Sequence, residues 1–328
     1  MKVVVTGGAG YIGSHAVREL LAAGHEVVVL DDLSKGHALA VAPRARLVQG
    51  DVADPRALDE ALPGAGAVVH FAGLLSVAES MRDPGSYYRV NLAKGLGLLQ
   101  GMLEKGVTRL VFSSTCATYG LPVAVPMDEG HVQDPINPYG GSKLAFERAL
   151  RDHAAAGLLR AIALRYFNAA GCHPDGSLGE DHSPEEHLVP LAVDAALGRG
   201  PGLTIHGDDY DTPDGTCIRD YIHVQDLARA HVLALEKLDH GPAFRAFNLG
   251  SERGHSVREV VEAVSRAAGV PVPAGVGPRR PGDPPRLVAA AALARAQLGF
   301  SAAHDLASVV ATTQRWRREH PAGYGDRG

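Results

Sequence analysis

Cysteine is scarce: Cys116, Cys172 and Cys217 are the only three in 328 residues, they lie far apart, and no Cys-x-x-Cys occurs. That spacing excludes a disulfide framework and a structural zinc ribbon and points to a reducing compartment, so a cytoplasmic location is expected. Clustered basic residues are missing as well: 32 Lys and Arg against 37 Asp and Glu leave a net charge of −5 with no basic tract. Nucleic acid is therefore not an expected partner. No apolar run reaches membrane-spanning length, and Met1-Lys2-Val3 leads directly into a strand-like segment, so neither a membrane span nor a signal peptide is expected. Internal repeats and low-complexity tracts are absent. The 16 histidines contain no His-Glu-x-x-His and no other tight ligand cluster, so no metal is expected. What remains, 45% hydrophobic and 21% charged residues, is the composition of a globular protein with one large or two closely joined domains.

Glycine, by contrast, is abundant, and the opening stretch shows what some of it is for. Val3-Val4-Val5 reads as a strand buried on both faces, and Thr6-Gly7-Gly8-Ala9-Gly10-Tyr11-Ile12-Gly13 follows as a turn. Ile12, Val17, Leu20 and Leu21 then recur at helical spacing, which aims a helix N-terminus at the turn and suits it to a pyrophosphate. Gly8-x-Gly10-x-x-Gly13 meets the dinucleotide fingerprint, and Gly7-x-x-Gly10-x-x-Gly13 meets its variant spacing. A second strand, Glu26–Leu30, ends in Asp31-Asp32 at the distance a ribose-binding acid requires. A carboxylate at Asp31 repels a 2′-phosphate and no arginine adjoins it, so the expected cofactor is NAD.

Strands at 46–49, 67–71, 109–113 and 161–166 alternate with helices at 54–62, about 87–105, and 139–155. This pattern predicts an α/β fold with a doubly wound parallel sheet of the Rossmann kind. From Asn168 the alternation loosens, which predicts a smaller mixed α/β C-terminal unit: 1–167 binds the dinucleotide, 168–328 binds substrate, and part of 220–252 rejoins the first unit. The proline-rich stretch 269–285 reads as an ordered loop or crossing segment, and 304–317 as an amphipathic helix.

Chemistry is expected at the carboxyl ends of the strands. The strand ending in Ser113-Ser114-Thr115 is followed by Asn137-Pro138-Tyr139-Gly140-Gly141-Ser142-Lys143, and Tyr139 is the one tyrosine of nine with a lysine four residues later. The step puts both on one helix face. An ammonium nearby, together with an oxidised nicotinamide, lowers a phenol's pKa from about 10 toward neutrality and makes it a usable base. Thr115 can share the proton by hydrogen bond. Asp51-Val52 ends another strand, and spacing alone leaves a strand-end acid and an adenine-bordering pair equally open.

These residues, with Phe71-Ala72-Gly73-Leu74, Glu79-Ser80, Arg165-Tyr166-Phe167-Asn168, Asp214-Gly215-Thr216, Arg219-Asp220-Tyr221-Ile222-His223-Val224, Asn248-Leu249-Gly250 and Arg279-Arg280-Pro281-Gly282-Asp283, give the chain its resemblance. It resembles the extended short-chain dehydrogenase/reductase family, above all its UDP-sugar 4-epimerase branch, along nearly its whole length. The resemblance implies tightly held NAD contacted by Gly7, Gly10, Tyr11, Ile12, Gly13, Asp31, Asp32, Asp51, Val52, Phe71, Ala72, Gly73, Asn91, Ser113, Tyr139, Lys143 and Tyr166. It further implies Tyr139 as base and acid, Lys143 as its electrostatic partner and Thr115 as a hydroxyl helper that also meets the substrate. Asn168, Arg219 and Arg280 are implied to hold the UDP phosphates and Asp283 the uridine ribose. His187, Leu188, Tyr221 and Leu287 are implied to line the sugar nucleotide, and the assembly is implied to be a homodimer joined through helices that flank the sheet.

The sequence departs from the pattern at several places. Leu75 stands where some members have lysine, so no cofactor contact is assigned there, and His187 stands where some have asparagine. For Arg219 and Arg280, Asp220 and Asp283 nearby leave a solvated ion pair open on spacing alone. A nucleotide-sugar 4,6-dehydratase needs acidic residues after Thr115, where Cys116 and Ala117 stand. Epimerases of other UDP-sugars, and a non-catalytic NAD-binding protein on the same fold, remain open alternatives.

Overall fold

The computed structural model describes all residues except Pro201, Pro281, Arg327 and Gly328. In chain order the strands are β1 (Lys2–Thr6), β2 (Glu26–Asp31), β3 (Arg46–Gln49), β4 (Ala67–His70), β5 (Arg109–Thr115), β6 (Arg160–Tyr166), β7 (Asn168–Ala170), β8 (Leu203–His206), β9 (Ile218–His223), β10 (Phe244–Leu249), β11 (Gly254–Ser256), β12 (Ala274–Gly277) and β13 (Arg286–Leu287). The helices are α1 (Tyr11–Ala22), α2 (Pro55–Ala61), α3 (Val77–Arg82), α4 (Pro84–Tyr87), α5 (Gly95–Glu104), α6 (Pro138–Ala155), α7 (Leu188–Ala196), α8 (Val224–Glu236), α9 (Val257–Ala268), α10 (Ala292–Leu298) and α11 (Leu306–Glu319).

Seven strands form one parallel sheet in the order β10-β6-β5-β4-β1-β2-β3. Successive residues of a strand face opposite sides, so Val3 and Val5 enter the layer covered by α1 and α8, while Val4 enters the layer covered by α2, α5 and α6. All three are fully buried. A slip of one residue would exchange the layers, which is why the apolar run pins the register. The chain winds outward through β2 and β3, then returns to the other side of β1 with β4. That reversal opens a crevice beyond the carboxyl ends of β1 and β4.

The expected fold is therefore observed. The edge strand β10 and the helix α8, which packs on α1, come from the second half of the chain. The smaller unit holds the sheet β11-β9-β13, with β7 also paired to β9, the ribbon β8–β12, and a helical layer of α7, α9 and α11. Asp220 on β9 is fully buried, and its carboxylate accepts the amides of Ser251 (2.7 Å), Glu252 (3.1 Å) and Ala289 (3.1 Å), tying two further segments to this strand.

Three expectations are corrected. The stretch 87–105 is not one α-helix: residues Tyr88–Lys94 widen into a π-turn between α4 and α5. There the Asn91 side chain donates to Leu74 O (3.1 Å) and accepts from Leu74 N (2.8 Å), and such widened turns gather at functional sites. The stretch 269–285 contains β12, whose backbone pairs with β8, a non-local match that local composition does not report. The final helix starts at Leu306, two residues late, because Asp305 caps it by accepting the Ser308 amide at 2.9 Å.

Candidate active site

The turn after β1 is shaped by close backbone approach. Gly7 has φ +71°, and a Cβ there would lie 2.5 Å from Ala72 N. A Cβ on Gly13 would lie 2.1 Å from Gly7 O, so both positions must be glycine. Gly10 is the N-cap of α1, with no side-chain cap and no acid in the first turn. The amides of Tyr11, Ile12 and Gly13 and the positive helix end are thus aimed at the crevice without an internal counter-charge. The Tyr11 hydroxyl donates to Gly171 O, and Ile12 packs on the core.

Asp31 ends β2 almost fully buried. Its carboxylate accepts Ala9 N (3.0 Å) and Leu33 N (2.9 Å), which fixes it beside the turn. Asp32 is exposed and accepts Ser34 N (2.9 Å). Asp51 accepts Ala53 N and pairs with Lys94; burial acts to raise its pKa, but these two contacts outweigh it and leave the carboxyl below its usual range. Val52 is a core residue beside Val48 and Leu58. The Phe71 and Ala72 amides donate to Thr6 O at 2.9 and 3.1 Å, and the Phe71 ring leans on His231 with centroids 4.5 Å apart.

On the other wall, Asn137 caps α6 by accepting Gly140 N (2.8 Å), and Pro138 occupies the first turn. This start sets the phase that turns Tyr139 and Lys143 toward the end of β5. Lys143 is 5% exposed and donates to Ser113 O (3.1 Å); burial pushes its pKa down to about 8, with Glu147 opposing. Gly73 is pressed against the same group: its Cβ would meet Asn91 Oδ1 at 2.8 Å and Lys143 Nζ at 3.4 Å. Thr115 accepts Ala117 N (3.1 Å) and is hydrogen bonded to the Tyr139 phenol, and Ser113 Oγ lies 2.8 Å from the Tyr166 hydroxyl.

The expected lowering of the phenol's pKa combines Lys143 with an oxidised nicotinamide, and the chain's own groups act in the other direction. Burial drives Tyr139 well above the ordinary value, Tyr166 adds to the rise, and only the Thr115 hydrogen bond among the leading influences opposes it. A lowering then falls to a cofactor's positive charge. Sequence reasoning also missed Glu147, one turn beyond Lys143. It is fully buried, accepts the Ser114 hydroxyl, and holds Arg165 Nη2 at 2.6 Å, locking α6 to β5 and β6. The i, i+4 spacing from Lys143 was the available signal.

In the smaller unit, Asn168 and Tyr221 are opposite each other in register on β7 and β9, and Arg219 is opposite Leu287 on β13. Arg219 donates to Pro284 O (2.9 Å), and its Nη2 stands 3.4 Å from Asp283 Oδ1. Arg280 is exposed, and its backbone carbonyl accepts the Asp283 amide (3.3 Å). Leu287 packs in a cluster with Tyr119, Phe167 and Cys116. His187 is the N-cap of α7, and Leu188 packs under that helix. The expectation of no tight ligand cluster is corrected here: Glu180, His182, Glu185 and His187 converge at the α7 entrance.

This geometry, a dinucleotide turn facing a Tyr-Lys-Thr set across a switch-point crevice, defines a nucleotide-cofactor enzyme of the doubly wound class. The chain belongs to the NAD dependent epimerase/dehydratase family, whose pattern it matches over residues 3–250. It is 49% identical to the UDP-glucose 4-epimerase of Lacticaseibacillus casei over 330 aligned residues, covering all of both chains. Among solved structures it resembles UDP-glucose 4-epimerase from Brucella ovis in complex with NAD, with 48% identity, a TM-score of 0.92, and 95% of this chain and 97% of that one covered. It also resembles the enzyme from Bifidobacterium longum in complex with NAD+ and UDP, with 39% identity, a TM-score of 0.93, and coverage of 98% and 100%.

Proposed function

We propose that the chain interconverts UDP-glucose and UDP-galactose by inverting C4, with NAD retained through the cycle. One observation carries the reading: Gly7 abuts Ala72, the next residue Gly73 abuts Lys143 Nζ, and Tyr139 stands one helical turn before Lys143, so the dinucleotide turn and the proton-transfer group share one crevice. The residues present fit NAD, because the uncapped α1 terminus suits a pyrophosphate and the buried Asp31 carboxylate suits ribose hydroxyls. NAD bound there supplies the acceptor and then the donor of hydride at C4, passing through a 4-keto sugar.

Tyr139 takes the proton of the 4-hydroxyl at its Oη and returns it to the same sugar oxygen as C4 is inverted. Thr115 orients that oxygen through its hydrogen bond. Lys143, anchored on the Ser113 carbonyl, supplies positive potential at neutral pH. Arg219 and Arg280 hold the diphosphate, their guanidinium forks matching its oxygens, with Asn168 beside them. Asp283 takes the uridine ribose, while His187, Leu188, Tyr221 and Leu287 line the sugar nucleotide. Asn91, Ser113 and Tyr166 support the nicotinamide side, with Asp32, Asp51, Val52 and Phe71 toward the adenosine. In this reading 1–167, with α8 and β10, is the NAD-holding unit, and 168–328 is the unit that binds the UDP-sugar.

The same reading makes the protein a homodimer joined through sheet-flanking helices. Val77, Met81, Tyr88 and Leu96, exposed apolar side chains along 77–96, support it. Three free cysteines support a reducing, cytoplasmic setting. Proton NMR of the purified protein with UDP-galactose and a panel of UDP-sugars tests the activity, and assay of the supernatant after denaturation tests the cofactor. Finding only NADP, or turnover that consumes added NAD stoichiometrically, overturns the reading.

A further inference from the structure

Eight residues before α7 carry the spacing Glu180-x-His182-x-x-Glu185-x-His187, and the irregular backbone there folds all four side chains inward. Four atoms meet. His182 Nδ1 lies 3.2 Å from Glu180 Oε1 and 3.8 Å from Glu185 Oε1, and His187 Nδ1 lies 2.8 Å and 3.1 Å from the same two oxygens. A tetrahedron with metal–ligand bonds of about 2.0–2.2 Å has edges of about 3.3–3.6 Å, the size of this arrangement after a small expansion.

Two of the four donor atoms are buried without a hydrogen bond. Glu180 is 2% exposed, yet its Oε1 makes no hydrogen bond despite two imidazole nitrogens at contact distance, and His182 Nδ1 likewise makes none. The fourth contact differs, since His187 Nδ1 is hydrogen bonded to Glu185 Oε1 at 3.1 Å, a bond that a cation would replace. Two carboxylates, two neutral imidazoles and one divalent cation also sum to zero charge, which a buried site requires. The surroundings resemble a supporting shell: Glu185 Oε1 accepts the amides of Glu186 (2.9 Å) and His187 (3.0 Å), Glu185 Oε2 faces Arg317 at 3.6 Å, and the Tyr11 ring stands edge-on to His182 at 6.0 Å.

We propose that Glu180, His182, Glu185 and His187 form a tetrahedral zinc site. Two nitrogen and two oxygen donors suit zinc among common divalent ions, and four protein ligands leave no open position, so the ion is structural and not a Lewis acid. It ties the 180–187 segment, and with it the start of α7, to Tyr11 at the dinucleotide turn. Substrate-side and cofactor-side walls are thereby held in one arrangement.

The test uses tag-free full-length protein retaining its bound cofactor. After incubation with ZnCl2 and exhaustive dialysis against metal-free buffer, elemental analysis is expected to give about one zinc per chain. Glu180→Gln and His182→Gln are each expected to lose it. Cobalt loaded into the parent protein is expected to give the intense visible bands of a tetrahedral N/O site, and chelation is expected to lower the melting temperature, with zinc restoring it. The cobalt and chelation arms need no variant, so a misfolded mutant does not shield the idea. Zinc no higher than in buffer, zinc retained in both variants, a pale octahedral cobalt spectrum, or a melting temperature indifferent to chelation each overturns the site.

Discussion

Replacing Tyr139 by phenylalanine removes one oxygen and leaves the ring where it packs edge-on against Tyr87, with centroids 6.4 Å apart. On the protein side the change removes the hydrogen bond with Thr115, a net contribution of about 1 kcal/mol. For a chain of this size that lowers the melting temperature by about 2–4 °C or less, and NAD content is expected to stay at the parental level. Turnover is a different matter. Losing the proton-transfer group is expected to slow epimerisation by about 10²–10⁴-fold, equivalent to about 2.7–5.4 kcal/mol on the barrier. Thr115→Val keeps the phenol and removes its hydrogen-bond partner, so a loss of only about 5–10-fold is expected, as about 1 kcal/mol implies. The assay follows UDP-galactose conversion by NMR, with cofactor content and thermal melts measured on the same preparations. A Tyr139→Phe protein that binds NAD and turns over within a factor of a few of the parent refutes the assignment, as does a Thr115→Val loss equal to that of Tyr139→Phe.

Lys143 carries a buried charge whose pKa is pushed down to about 8 from 10.5, so the unfolded chain binds more protons between those values and stability rises with pH there. Below pH 8 the buried charge costs up to about 3 kcal/mol, and Lys143→Met is expected to melt higher than the parent at pH 7 while epimerising far more slowly. Its thermal advantage should close by pH 10, and its residual rate should rise with pH; equal melting curves at pH 7 with matched cofactor content refute the burial argument. Burial also depresses His15 and His231 to about 4 and His70 and His223 to about 3, whereas the unfolded chain protonates them near 6.5. Stability is expected to fall as pH drops from about 6.5 to about 4, by up to about 5 kcal/mol per pH unit where all four contribute, and an unchanged melting temperature between pH 7.5 and 5 refutes this. Leu287 packs with Cys116 and Phe167 opposite Arg219, and in the proposed role beside the sugar it leaves more room than tyrosine would. The parent is expected to act on UDP-N-acetylglucosamine as well as UDP-glucose, and Leu287→Tyr to lower the ratio of the first activity to the second; an unchanged ratio rules Leu287 out as a pocket residue.

What could be read without coordinates was whatever depends on neighbours along the chain. A buried strand, a turn that only glycine can make and a helix that starts at Gly10 are all local, so the dinucleotide crevice was legible from Val3 to Gly13. The pairing of Tyr139 with Lys143 was legible for the same reason, because one helical turn separates them. What only the tertiary structure decided rests on partners distant in sequence. Asp220 follows Arg219 immediately, yet alternation along β9 sends one carboxylate into the core to bind three amides and leaves the arginine beside Asp283. Glu147 meets Arg165 from another strand, and β12 exists because β8 lies beside it. The upward push on the Tyr139 phenol also had to wait, since burial, its largest cause, is a property of the whole packed molecule. Glu180, His182, Glu185 and His187 were in plain view as letters but carry no helical or strand period, and only the fold of that irregular segment brings their donor atoms within 4.8 Å of one another.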